Sequence, residues 1–144
     1  GRFPSAWTTR HTTDFEDLAA ALRVWAKGLL GTEAAVELLI GHRWWLDRDD
    51  FREIAVEFGW EACSGRVMAA VDFVAVADAL AAGKLPCSGS EGQVLRLAAS
   101  IACGVLVDLG GAVSGLDAAN TGLVADAVWY AAGHRELMVR RGAR

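Results

Sequence analysis

Apolar positions in the first third of the chain recur at helical intervals. Phe15, Leu18, Leu22, Trp25 and Leu29, with Ala19 and Ala26 between them, share one side of a 3.6-residue repeat. This predicts an amphipathic helix opened by Asp14 as N-cap and closed before Gly31. Thr32 is placed to cap a second helix, with Glu33 in its positive first turn and Val36, Leu38, Leu39 and Ile40 facing inward. That helix is expected to end near residues 42–45. With only Gly31 and the cap between them, the two helices are expected to form a tight pair.

The period then drops to two. Ile54, Val56, Phe58, Trp60 and Ala62 alternate with Glu53, Ala55, Glu57, Gly59 and Glu61, the pattern of a half-buried strand with an acidic outer face. Helical spacing through Phe51, Ile54, Ala55 and Phe58 competes, but the aromatic and β-branched content favours a strand. Cys63, Ser64 and Gly65 supply a turn, and Val67, Ala69, Val71 and Phe73 alternate again. An antiparallel hairpin over about residues 53–73 follows, and a lone hairpin needs helices over one face.

Helical patterning fills the remainder. Asp72 is positioned to cap a segment with Val76, Ala77, Leu80 and Ala81 that stops at Gly83. After Leu85 and Pro86, both Ser88-x-x-Glu91 and Ser90-x-x-Gln93 fit a capping box ahead of Val94, Leu97, Ala98 and Ile101, with Gly104 as the stop. An extended link at residues 105–107 leads to a brief helix through Leu109, Ala112, Val113 and Leu116. Asn120 or Asp117 then caps a last helix bearing Leu123, Val124, Ala127, Val128 and Ala131, closed by Gly133. The fold class is α+β: a predominantly helical single domain over residues 14–134 with one hairpin packed against helices. Residues 1–13 read as a flexible arm or a remnant of cloning, and residues 135–144 as a basic C-terminal tail.

Composition narrows the function classes. In 144 residues, 53% are hydrophobic, 22% charged and two are proline, which excludes disorder over most of the length. No apolar run approaches the roughly 20 residues that span a bilayer, and no signal-peptide pattern opens the chain, so a cytoplasmic protein without membrane contact is expected. The formal charge of -4 disfavours a dedicated nucleic-acid binder. Charge is uneven, however: residues 135–144 hold four arginines and one glutamate, and residues 1–134 hold 10 basic and 17 acidic side chains. Cys63, Cys87 and Cys103 form neither a disulfide framework nor a C-x-x-C motif and read as reduced thiols.

Two stretches hold candidate chemistry. Cys87 just before a helix N-terminus is a possible thiolate nucleophile, with His42 or His134 as base and Asp47, Asp49 or Asp108 as orienter. Ser88, Gly89 and Ser90 at the same helix start are candidates for anion binding by backbone amides, although Glu91 in that turn repels an anion. The bland reading is a capped helix with Cys87 packed as a small apolar residue. Residues 41–51 place Trp44 and Trp45 beside His42, Arg43, Arg48, Asp47, Asp49 and Asp50. Stacking on a base or cation binding by the carboxylates is weighed there against a structural knot, in which one indole closes the helix pair, Asp47 or Asp49 caps the turn before Phe51, and the arginines answer the acids. His11, His42 and His134 are too scattered for a metal site, and no cofactor motif is present.

Six tryptophans stand beside the single Tyr130. Trp25 and Trp60 fall on inner faces and are expected in the core, whereas Trp129 and Tyr130 flank the last helix's stripe, so that one of them is expected to face a partner. Trp44, Trp45, Trp129 and Tyr130 are the candidate interface residues, and a mean hydropathy of +0.28 favours a homodimer.

The segments Thr32–Ile40, Trp45-Leu46 with Asp50-Phe51, Ala70–Phe73, Leu85–Gly92, Leu95–Ile101 and Val107–Leu109 with Ser114–Asp117 resemble a group of small actinobacterial, Streptomyces-type proteins that carry no assigned activity. The resemblance covers roughly residues 30–134. It implies a bacterial cytosolic origin and one small domain, and transfers no catalytic residue. A non-enzymatic, self-associating protein-interaction module is the leading expectation. The alternatives are a nucleic-acid accessory protein using the helix pair, Arg43, Arg48 and the arginine tail, and an anionic-ligand binder or thiol enzyme at residues 87–93.

Overall fold

The computed structural model describes residues 13–138; most of the expected arm and the last six residues of the basic tail lie outside the described residues. Helix α1 (Phe15–Ala26) opens where the Asp14 carboxylate accepts the backbone N–H of Asp17 at 2.8 Å, and it buries Leu18, Ala19, Ala21, Leu22 and Ala26. Helix α2 (Leu30–His42) begins earlier than its sequence suggests. Thr32 is not its cap but a buried residue of its first turn. The Glu33 carboxylate instead accepts the N–H of Gly28 at 2.8 Å, which fixes the connection and lets the helix start at Leu30.

A helix replaces the first residues of the expected strand. Helix α3 (Asp49–Ala55) precedes strand β1 (Val56–Trp60), which pairs antiparallel with β2 (Val67–Val71), Val56 opposite Val71 and Trp60 opposite Val67. The competing helical spacing prevails up to residue 55 because Phe51, Arg52 and Ala55 are buried together. Phe51 packs 5.8 Å from the Trp45 ring, and Arg52 donates from Nε to the Leu46 carbonyl at 2.6 Å. Asp49 and Asp47 do not cap α3: its N-cap is Arg48, without a side-chain bond, and the Asp50 carboxylate takes the N–H of Phe51. Trp60, expected in the core, is 52% exposed at the turn end of the hairpin, where it pairs with Val67.

Helices α4 (Phe73–Ala81), α5 (Gly89–Cys103), α6 (Leu109–Ser114) and α7 (Ala118–Ala131) follow. Asp72, Asp108 and Asp117 cap α4, α6 and α7 through the backbone N–H of Ala75, Gly111 and Asn120. Ser88 and Glu91 form a reciprocal capping box on α5, and Gly104 ends it at φ 74°. A single turn of 3₁₀ helix, Arg135–Leu137, closes the described chain.

Helix α2 packs against α1, α5 and α7 and buries Ala34, Ala35, Val36, Leu38 and Leu39, while Glu33 and Glu37 mark its one polar edge. It runs antiparallel to α5: Gly31 meets Ile101 at one end, where an added Cβ would lie 2.7 Å from a carbonyl oxygen, and Trp45 meets Glu91 at the other. It also runs antiparallel to α7, with the Tyr130 hydroxyl donating to Glu33 at 2.9 Å and Leu123 against Gly41. Helices α5 and α7 therefore lie parallel, joined at their starts where Ser90 Oγ accepts from Asn120 Nδ2 and from the N–H of Asp117.

Candidate functional site

The start of α5 is chemically self-contained. Glu91 Oε1 accepts the N–H of Ser88 at 2.8 Å, so a carboxylate already stands where an incoming anion would sit. The Ser88 hydroxyl is engaged by the N–H of Glu91 and the Ser90 hydroxyl by Asn120 and Asp117, while Gly89 is the first residue of the helix. Burial, and then the Glu91 charge, push the Cys87 thiol up from its ordinary range, the opposite of an activated nucleophile. Among the described residues no hydrogen bond joins Cys87 to His42 or His134. His42 ends α2, with Nδ1 buried and unpartnered, and burial lowers its pKa against the raising influence of Glu91 and Asp117. His134 follows the far end of α7, exposed beside Glu136.

The dense stretch before α3 also turns inward upon itself. Arg43, at the end of α2 with φ 65°, pairs with Asp47 at 2.9 Å and lies 4.1 Å over the Phe15 ring. Arg48 pairs with Asp50, donates to the Pro86 carbonyl and stacks against both Trp44 and Trp45, 4.7 and 4.8 Å from their ring centres. Arg48 is engaged through all three of its nitrogens, whereas the exposed Arg43 bonds Asp47 through Nε alone, and the arginines of residues 139–144 lie outside the described residues. Among the described residues no three His, Cys, Asp or Glu side chains gather as a metal ion requires.

The four aromatic interface candidates divide. Trp45 is wholly buried with its indole N–H on Glu91, and Tyr130 is buried with its hydroxyl on Glu33, whereas Trp44 and Trp129 reach the surface. Trp129 belongs to a broader feature that individual aromatics do not reveal. The outward positions of α7 are Ala118, Ala119, Thr121, Ala125, Val128 and Trp129, followed by Ala132, and none carries a charge. The helix's one ionisable chain besides Tyr130, Asp126, is 7% exposed on the inner side, while Val128 is 55% and Trp129 41% exposed. An amphipathic surface helix has the reverse arrangement.

The same character extends upstream. Residues 97–134 contain no lysine, arginine or glutamate. Of their three aspartates, Asp108 and Asp117 cap helices and Asp126 is buried. Leu106 is 97% exposed, and Leu109 and Val113 of α6 are exposed as well. This 38-residue window is the sequence signal that marks the surface, and a search for single aromatic residues passes over it.

The fold and this surface define a small, mostly helical α+β domain with one uncharged helix face. No family model, curated protein or solved structure matches the chain. Among the described residues no helix is long and apolar enough to cross a membrane.

Proposed function

We propose that the protein works by protein contact, as a self-associating module whose interface centres on the outer face of α7. The observation that carries this reading is the inverted polarity of that helix: its charge is buried and its exposed face is apolar. Apolar surface of this kind gains free energy when removed from water, at about 25 cal/mol per Å². Alone, a helix about 21 Å long is short of the roughly 800 Å² per partner that a standard interface buries. Exposed Leu106, Leu109 and Val113, on the segment leading into it, add apolar surface.

A second copy of the chain is the occupant that the chemistry favours. An interface between different proteins commonly selects its partner through complementary charge, and this face has none to offer. Ala118, Ala125 and Ala132 recur at seven-residue intervals along it, which allows two such helices to approach closely about a twofold axis. The resemblance to small actinobacterial proteins and the unpaired thiols support a bacterial cytosolic setting as part of the same proposal.

Size-exclusion chromatography with light scattering tests it. The wild type is expected to run as a dimer whose mass is insensitive to salt, and Val128→Glu as a monomer with unchanged far-ultraviolet circular dichroism, since Val128 supports no core contact. A wild type that is monomeric at high micromolar concentration, or a Val128→Glu protein that remains dimeric, overturns the reading.

A further inference from the structure

A cleft of about 450 Å³ opens between α1, the first turns of α2 and the end of α7. Its polar lining is Arg23, Lys27, Glu33, Glu37, Tyr130 and Arg135, above the buried Ala26 and Val36 at its floor. That volume falls in the range of small-molecule sites.

The hydrogen-bonding inventory of the cleft is lopsided. Both oxygens of Glu37 are taken by Arg23, from Nε at 2.9 Å and Nη2 at 3.0 Å. Both oxygens of Glu33 are taken as well, by the Tyr130 hydroxyl at 2.9 Å and the N–H of Gly28 at 2.8 Å. The acceptors are thus committed to the protein's own donors. Donors remain in surplus. Lys27 makes no hydrogen bond or ion pair among the described residues. Arg135 engages Tyr130 through the face of its guanidinium, 4.4 Å above the ring, which leaves its N–H edge uncommitted. Three cations face two carboxylates, Glu37 paired with Arg23 and Glu33 held by neutral donors, so the lining carries a net charge of +1 in a chain whose overall charge is negative.

We propose that this cleft binds a small organic anion, its acid group held by Lys27 and Arg135. Arginine supplies a planar fork for a carboxylate or phosphate and lysine a mobile point charge, a pairing suited to an acid group of either kind. The Arg23–Glu37 and Tyr130–Glu33 pairs hold the walls rather than the ligand, since their bonding groups already face one another. This site is separate from the outer face of α7 and does not depend on self-association.

Phenyl phosphate and benzoate share an apolar ring and differ in the acid group, and isothermal titration of the full chain with each identifies which acid the site prefers. At least one is expected to bind, more weakly as salt rises. Lys27→Met and Arg135→Leu are each expected to weaken binding about tenfold, the loss of one charge-assisted hydrogen bond. Both side chains are exposed, and unchanged circular dichroism establishes that each variant folds. Val128→Glu, which tests the self-association, is expected to bind as the wild type does. The absence of binding by both probes, or binding undiminished in both cleft variants, overturns the proposal.

Discussion

The indole Nε1 of Trp45 donates to the backbone carbonyl of Glu91 at 2.9 Å, joining the turn after α2 to the first turn of α5 across 46 positions of sequence. The ring is wholly buried, edge-on to Trp44 and beside Phe51. Trp45→Phe retains much of the apolar contact but strips the carbonyl of its donor and leaves a void. The variant is expected to lose about 2 kcal/mol, and Trp45→Ala about 3–5 kcal/mol. Urea unfolding measures both, as a lower midpoint at unchanged slope.

Gly31 is required for close approach. A Cβ there would stand 2.7 Å from the carbonyl oxygen of Ile101, and the obstacle is backbone, which cannot rotate aside. Gly31→Ala is therefore expected to destabilise by about 1–3 kcal/mol, although alanine has the better helix propensity. By contrast, Gly59→Ala meets no atom within 4 Å and is expected to change stability little. Thermal unfolding of the two variants side by side distinguishes packing from propensity.

His42 predicts a pH dependence. Its folded pKa lies below the ordinary 6.5 because burial disfavours the cation, more than Glu91 and Asp117 favour it. As pH falls through about 6.5 the unfolded chain takes up the proton first, so the unfolded state binds more protons and stability declines until the folded pKa is passed. The stability conferred by a neutral His42 is thus present above that window and lost below it. His42→Gln, which does not titrate, is expected to flatten the curve between mildly acidic and neutral pH. The carboxylates of Asp50 and Glu33 are held below their usual range and act in more acidic solution, so they leave this window clear. Denaturant titrations at a series of pH values read the difference.

For Cys87 the raised pKa means less thiolate at neutral pH. Its alkylation by iodoacetamide is expected to be slower than that of a small free thiol at pH 7 and to accelerate into the alkaline range. Mass spectrometry of the peptide containing Cys87 follows the rate, and a fast reaction at pH 7 would return the thiol-enzyme reading to contention.

Local signals carried most of the architecture. Asp14, Asp72, the Ser88–Glu91 box and Gly104 bound their helices where short-range chemistry indicates, since a cap requires only residues within one turn of it. The failures arose where distant packing decided. Residues 51–55 satisfy both a helical and a strand period, and the burial of Phe51 against Trp45 chose between them. Thr32 resembles a cap until Glu33 reaches back to Gly28 and moves the helix start ahead of it. Trp60 has an inward-facing register but lies too near the hairpin's turn to be covered.

The candidate sites divide in the same way. Isolated residue types suggested a reactive Cys87 and a cation site among Asp47, Asp49 and Asp50, and three-dimensional pairing with neighbours in the chain consumed most of those groups. The cleft beside α2 was not legible, because Lys27, Glu33, Tyr130 and Arg135 are ordinary residues until the fold assembles them.

The contact between Glu33 and Tyr130 spans 97 positions, and α2 lies inside a sleeve that includes the last helix of the chain. During synthesis, α2 leaves the ribosome with two of its three neighbours still unmade. Its apolar sides must wait, in water or on a chaperone, until residues 118–131 have emerged. Completion of the domain thus waits on its last helix, and a chain stopped short of it leaves the apolar sides of α2 uncovered.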